Sequence, residues 1–556
     1  MSNLLPTQHT VSRLIELFSS GEIAIPEIQR DVVWKAEQVK ELIDSINLGY
    51  PCGSLIFWEP REKDAQLVRS MIRPERLEKQ GMKLPRYFLL DGQQRLTALA
   101  SIFLRRDELK ELLAELSEDM PYIVVNLKRF PKEIEASTDP MINKFPWELL
   151  NKLFDGSIQN DPGFQSLPSD QREKLSKYSQ RVRDYVFPVQ IIQDQDYAAV
   201  GEIFRRVNSL GTPLTGAEIQ LARIVPYWKG ITKELRTYRQ ELQRRHYELD
   251  LTFLIRAITV VECKVAQPRK LAEKIAKDRP SRAHLDRTWK RAKTATDKLI
   301  KMLQRELQLD KAKYFTSRNA LIPLVYYFAI ESGRKPALKE AQRFFLLSQL
   351  SGHYGSGGES ALRKDFRTIA EPSARPRQGL SDLAKTVEQE SRREYHGLKL
   401  LPRDICGSTS KNILLLFMYI LMRRRGATDW GSDGTRRFDE LEPKHTQLHH
   451  IFPFNFMMTD KAAEKCRVDA DYRPTDFRAE VNDIANFTFL SQFRNVAIGD
   501  TPPWQYLPTE TTKQMRNTHF IPEDQDLWKP ENFLDFLDER RKLLAIGMTS
   551  LLKSLN

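Results

Sequence analysis

From about Leu221 to Arg425 the apolar residues recur at helical spacing in one segment after another, as in RAHLDRTWKRAKTATDKLIKMLQREL and ALIPLVYYFAIES. So long a stretch leaves room for helices and pushes any sheet to the two ends of the chain. The first 220 residues alternate instead. VSRLIELFSSG has a helical period that stops at Gly21, IAIP is short and extended, and EQVKELIDSINLG is a second amphipathic helix ending at Gly49. GSLIFWE, RYFLLD and YVFPVQII read as strands, RYFLLD running straight into a helix that begins GQQRLTALASIFL, and YAAVGEIFRRVNSLG reads as a further helix. A polar, Pro-containing stretch from about Pro131 to Gln180 reads as an insertion, and GATDWGSDG reads as a hinge into a third region of short extended segments. At 556 residues the chain exceeds one hydrophobic core. The expectation is therefore an α+β multidomain protein: an α/β domain over 1–220, a helical region over 221–425, and a mixed domain over 426–556.

Composition narrows the class. Apolar residues make up 41% and charged residues 29%, which excludes a disordered tail. The longest clean apolar run, Ile413 to Met422, is about half of the roughly 20 residues a membrane span needs. The N-terminal sequence lacks the pattern of a secretory leader, so the expected location is cytoplasmic, with no membrane partner. Cys52, Cys263, Cys406 and Cys466 form no C-x-x-C pair and are read as reduced thiols. The net charge of +13 is concentrated, since residues 229–318 hold about 24 Lys and Arg against about 11 Asp and Glu. A solvated helix face and a polyanion-binding surface both account for such a surplus.

Two motifs carry chemistry. In KHTQLHHIFP, adjacent His449 and His450 on an extended segment point to opposite faces, so one imidazole can hold a metal while the other activates water. The bland alternative is a pair of half-buried histidines at a strand end. Downstream, DIANFTFLSQFRNVAIGD places Asn486 and Asn495 nine residues apart. One imidazole and one amide suit a hard cation such as Mg²⁺, which keeps several waters, and no further Cys or His has the spacing of a zinc site. Trp504 and Tyr506 in TPPWQYL can stack on a base or simply pack locally.

The second motif is RYFLLDGQQRLTALASIFL. Asp91 at the N-cap and Gln94 three residues on make a capping box, which requires no function. A helix N-terminus furnished with Gly92 and Arg95 is also an anion site. IPEIQRDVVW, with Gln29 and Arg30, and FRRVNSLGTPLTGAEIQLA, with Arg205, Arg206 and Asn208, add polar groups at loop edges.

Together these segments resemble the GmrSD-type modification-dependent (type IV) restriction endonucleases. HHIFP followed by I-x-N and a second Asn resembles the HNH, or ββα-metal, nuclease fold. That resemblance implies His449 as metal ligand, His450 as general base, Asn486 as brace of the loop holding the base, and Asn495 as second ligand of Mg²⁺ or Mn²⁺. Asp91, Gly92, Gln93, Gln94 and Arg95 match the family's DGQQR motif on a ParB/sulfiredoxin-like N-terminal domain, which with Gln29, Arg30 and Asn208 implies binding and hydrolysis of a nucleoside triphosphate. The sequence departs from the family pattern in carrying Ile28 where an aromatic residue usually precedes Gln-Arg, in a long spacing between His450 and Asn486, and in Asn495 standing where smaller HNH motifs have His. The implied function is an NTP-regulated endonuclease of antiviral defence acting on double-stranded, modified phage DNA, or a phosphorothioate-sensing nickase of the same architecture. An NTP-gated ParB-like DNA-binding protein with an inactive HNH domain and an RNA-cutting toxin are the competing readings.

Overall fold

The computed structural model describes the chain apart from residues 1–2, 27–33, 35, 62–80, 82–83, 113–121, 131–133, 138–146, 196–199, 201–202, 204–215, 226, 332–336, 356, 371–375, 408–412, 432–445, 460–462, 465, 467–473 and 556. The fold is α+β, mostly helical, with a small mixed sheet near the N-terminus. It divides into two units, Met1–Glu234 and Leu235–Asn556.

The first unit runs β1 (Asn3–Thr10), α1 (Val11–Ser20), β2 (Ile23–Ala24), α2 (Ala36–Asn47), β3 (Leu55–Trp58), β4 (Tyr87–Asp91), α3 (Gln93–Phe103), β5 (Tyr122–Asn126), β6 (Ile134–Ser137), β7 (Trp147–Leu149), α4 (Ser169–Asp184) and β8 (Val186–Gln193). Five strands form one sheet in the order β1-β8-β3-β4-β2, with β8–β3 and β4–β2 parallel and the other pairs antiparallel. β5, β6 and β7 form a separate antiparallel sheet. Phe88, Leu89 and Leu90 of β4 are fully buried, as expected of a strand covered on both faces. The Thr10 hydroxyl accepts from Arg13 N to start α1, and Gly21 at φ 88° ends it.

Two features of this unit differ from expectation. The N-terminal NLLPTQHT is an edge strand, registered with β8 from Asn3↔Gln193 to Thr10↔Val186. Its Pro6 and half-exposed Leu4 and Leu5 give no buried-strand pattern, because an edge strand needs only its partner's hydrogen bonds. The polar stretch read as an insertion contains α4, whose Leu175, Tyr178 and Val182 are buried and which packs on α1 and α2.

The second unit opens within α5 (Ile231–Arg244) and continues through α6 (Leu251–Cys263), α7 (Pro268–Asp278), α8 (Arg282–Glu306), α9 (Leu321–Ile330), α10 (Leu338–Leu350), α11 (Gly358–Ile369), α12 (Pro376–Glu394) and α13 (Leu414–Arg424). Among the described residues no helix is long and apolar enough to cross a membrane. The Gly/Ser loop after α10 is tied down by His353, which bridges Glu390 (2.7 Å) and Asp365 (3.0 Å). The chain ends in β9 (Thr446–His450), α14 (Pro474–Val481), β10 (Phe487–Ser491), α15 (Gln492–Ile498), α16 (Pro503–Glu510) and α17 (Phe533–Lys553). Helical layer and C-terminal segment share a core: Tyr314 and Tyr419 pack on Phe489 of β10, and α13 packs on α17. The segment read as a hinge is, in its described part, interior. Ala427 is 2%, Asp429 9% and Trp430 0% exposed. Small and acidic residues here serve close packing and a buried hydrogen bond, which a reading of Gly and Asp as flexible elements overlooks.

Candidate active site

β9 and β10 pair antiparallel, with Thr488 opposite His449 and Phe487 opposite His450, and Ser491 then caps α15 by accepting from Arg494 N. Strand alternation sends the two imidazoles to opposite sides. His449 turns inward and is 2% exposed, its ring edge-on to Trp430 and Tyr506. Burial pushes it down to about 4, so it is neutral. His450 is half-buried against Phe487, and burial lowers it as well.

Asn495, on α15, brings its Oδ1 to 2.8 Å from His449 Nδ1, while its Nδ2 donates to Gln447 Oε1 at 2.9 Å. Tyr506 donates its hydroxyl proton to Ile451 O (2.8 Å), leaving its oxygen 3.4 Å from His449 Nε2. Without a metal, Nδ1–H donates to Asn495 Oδ1. With the proton moved to Nε2, where the Tyr506 oxygen accepts it, Nδ1 and Oδ1 would both be available as donors to a cation. Their separation is close to the roughly 3 Å between adjacent corners of an octahedron with ligand distances of about 2.1 Å. The donor set thus fits a hard divalent cation completed by water. Among the described residues no group of three or more His, Cys, Asp and Glu could hold a metal.

His450 Nε2 lies 3.2 Å from Asn482 Oδ1, and Asn482 Nδ2 is already spent on Arg478 O (2.9 Å). Nε2 therefore carries the proton and Nδ1 keeps its lone pair, the form a general base requires. Asn486 makes no side-chain hydrogen bond to either histidine. It is fully buried, donates to Phe452 O (3.0 Å) and Val481 O (2.9 Å), and accepts from Phe452 N (2.8 Å), so it fixes the turn that follows His450. Sequence reasoning missed Asn482, which reaches the site from the end of α14 with no spacing signal. It also missed Trp430 and His519, the latter bonded to Thr488 Oγ1 and Thr428 O at 2.8 Å each. Of the two aromatic residues considered for base stacking, Tyr506 is buried and Trp504 packs on Phe456.

In the first unit, β4 turns into α3 through Gly92 at φ 92°, which is itself the N-cap and offers no side chain. The expected capping box is absent. Asp91 instead ends the strand and pairs with Arg95 Nη2 (3.1 Å), while Arg95 Nη1 donates to Cys52 O (2.7 Å). A Cβ at Gly92 would lie 2.2 Å from Leu55 Cδ2, and one at Gly53 2.3 Å from Arg95 Nη1, so a side chain at either position would displace Leu55 or Arg95 and would sit at a φ (92° and 77°) that L residues rarely adopt. Gln94 Oε1 accepts from Trp34 N (3.2 Å) and Gln93 is buried. The motif's polar groups thus bind the 52–53 turn and the Trp34 backbone to the helix start. Gln29, Arg30, Arg205, Arg206 and Asn208 lie outside the described residues, as does His445.

An uncharacterized protein of Methanocaldococcus jannaschii is 21% identical to the chain over an alignment of 611 positions, covering 96% of this chain and 98% of its own. Residues 14–225 match the family described as GmrSD restriction endonuclease, N-terminal domain. Over these residues the chain is similar to the N-terminal domain of GmrSD-type restriction endonucleases.

Proposed function

We propose that the protein is a metal-dependent DNA endonuclease whose hydrolytic centre is the β9–β10–α15 cluster, read as a ββα-metal (HNH) site. The observation that carries this reading is the division of labour between adjacent imidazoles. His449 Nδ1 lies 2.8 Å from Asn495 Oδ1, a spacing that suits two ligands of one cation, while Asn482 Oδ1 meets His450 Nε2 and His450 Nδ1 has no hydrogen-bond partner among the described residues. When bound, Mg²⁺ or Mn²⁺ would supply electrophilic stabilisation of the phosphodiester oxygens. His450 Nδ1 takes the proton as a water oxygen bonds to phosphorus and the P–O ester bond breaks, the electron pair leaving with the departing oxygen. Asn486 keeps the 451–452 turn, and with it His450, in place. On this reading the N-terminal unit, ParB/sulfiredoxin-like, binds a nucleoside triphosphate near Asp91–Arg95 and senses modified DNA, making the protein an antiphage nuclease.

The test is plasmid cleavage in Mg²⁺ by His450→Ala. Loss of a positioned base lowers the rate by roughly 10²- to 10⁴-fold, while duplex binding stays near that of the parent. Full cleavage by the purified variant refutes the assignment. Modified and unmodified phage DNA, each with every NTP in turn, test the regulatory part.

A further inference from the structure

The long helix α8 has one face unlike the others. At about 100° per residue, Arg287, Lys290, Arg291, Lys298, Lys301 and Arg305 fall within an arc of about 100°, with only Ala283 and Thr294 among them on the same side. All six cations are exposed, and none is ion-paired among the described residues. The helix's acids lie off this arc. Asp286 pairs with Arg282 (3.5 Å) and Asp297 with Arg245 (2.7 Å), and Lys293, also off the arc, pairs with Glu241 (3.1 Å). Cations outside the face are thus neutralised by neighbours, whereas those on it are not. A face serving only solubility intersperses both signs, and the helix dipole favours cations in the last turn alone, which leaves Arg287 to Lys298 unaccounted for.

The ridge is also rigid. The opposite side of α8 buries Leu285, Trp289, Ala292, Leu299, Ile300 and Leu303. Its C-terminal end is fastened by Arg424, which donates to Glu306 O (2.8 Å), and Asp310, four residues on, accepts from Tyr419 (2.6 Å), whose ring packs on Phe489 of β10. The cationic helix and the candidate catalytic strand therefore belong to one packed body.

We infer that this face of α8 is a phosphate-backbone clamp for duplex DNA. From Arg287 to Arg305 it runs about 27 Å, along which successive cations are 3, 1, 7, 3 and 4 residues apart, steps of about 1.5–10.5 Å along the axis. A duplex presents a phosphate charge per about 1.7 Å of axis, so each cation can meet one phosphate without register to the bases. The inference rests on the proposed reading that DNA is the substrate, and it adds where the backbone is held and that the hold is blind to sequence.

The experiment measures affinity for a short unmodified DNA duplex against salt concentration, in EDTA so that nothing is cut. Three chains are compared: wild type, Arg291→Gln/Lys298→Gln/Lys301→Gln, and a control of equal charge, Lys174→Gln/Lys177→Gln/Arg269→Gln, whose cations are exposed and ion-paired elsewhere. With six phosphate contacts the slope of log K on log salt is about −5, and the α8 variant flattens it by about 3 and loses about 10²-fold at physiological salt. The control keeps the wild-type slope. An α8 variant indistinguishable from the control overturns the clamp while leaving the DNA reading standing. A wild-type chain that ignores DNA overturns the reading itself, and tighter α8-dependent binding of an RNA duplex assigns the face to RNA instead.

Discussion

Asn486→Ala isolates what holds the turn after His450. The side chain is fully buried, and truncation orphans Phe452 N, Phe452 O and Val481 O at once. An unpaired buried polar group costs about 1–3 kcal/mol, so three of them, partly relaxed, cost about 3–6 kcal/mol. At about 2 °C per kcal/mol, appropriate to a large unit, the melting temperature drops by about 6 °C or more. Cleavage falls further than stability alone requires, because a 1 Å displacement of a positioned group costs about 10²-fold. Asn486→Asp gives the sharper comparison. It is isosteric and keeps the acceptor for Phe452 N, yet turns a carboxylate oxygen toward two carbonyls where an amide donated. Asn482→Ala supplies the contrast, since that residue is half-buried and removal costs little stability while freeing the His450 ring. The assay pairs thermal unfolding with single-turnover cleavage. An Asn486→Asp variant as stable and active as the parent refutes the argument from hydrogen-bond direction.

Acid lability follows from two interior imidazoles, His449 at about 4 and His519 at about 3, each lowered chiefly by burial. Both are neutral when folded and protonate more readily unfolded, so their contribution is complete above about 6.5 and is lost progressively as pH falls toward 4 and 3. Unfolding measured across that range should show stability declining, with a shallower decline in His519→Gln, and a parallel profile for that variant refutes the cause. Gly92→Ala should destabilise the first unit by about 1–3 kcal/mol, since a Cβ there overlaps Leu55 at an unfavourable φ, and a silent substitution in chemical unfolding contradicts the packing argument.

Local signals in the sequence anticipate much of this fold. Gly21 marks the end of α1, the continuous apolar run Tyr87–Leu90 marks a covered strand, and the period of α8 shows which side is buried. Where local signal is weak, the fold depends on distant partners. Half of the residues of α4 are charged because most of its surface meets solvent, and four buried side chains suffice to dock it. At the candidate site, two adjacent histidines on a strand announce opposite faces, and Asn495 lies on a helix capped by Ser491. Asn482 is illegible, since only the turn held by Asn486 brings it to His450. The motif Asp91 to Arg95 illustrates a false local reading. A capping box (Asp91 with Gln94) and a strand-to-helix ion pair (Asp91 with Arg95) compete for one carboxylate, and Gly92 in the left-handed region decides between them.

The burial of the Gly426–Gly431 segment bears on how cleavage can be controlled. A joint on which a nuclease swings needs backbone groups free to exchange partners with water. Here Thr428 O accepts from His519 Nε2 at 2.8 Å, Asp429 Oδ1 accepts from Ser491 N at 2.9 Å, and Gly431 N donates to Glu510 O at 2.8 Å. Between them the Trp430 ring meets His449, Tyr506 and His519. Asp429 thus holds the residue that caps α15, the helix presenting Asn495, while Trp430 walls His449, the other member of the proposed ligand pair. A shift of the segment would move both of these elements, so it is scaffold to the candidate site. A regulatory signal arriving through it would therefore alter the spacing of His449 and Asn495, and with it the rate, before it opened any cleft.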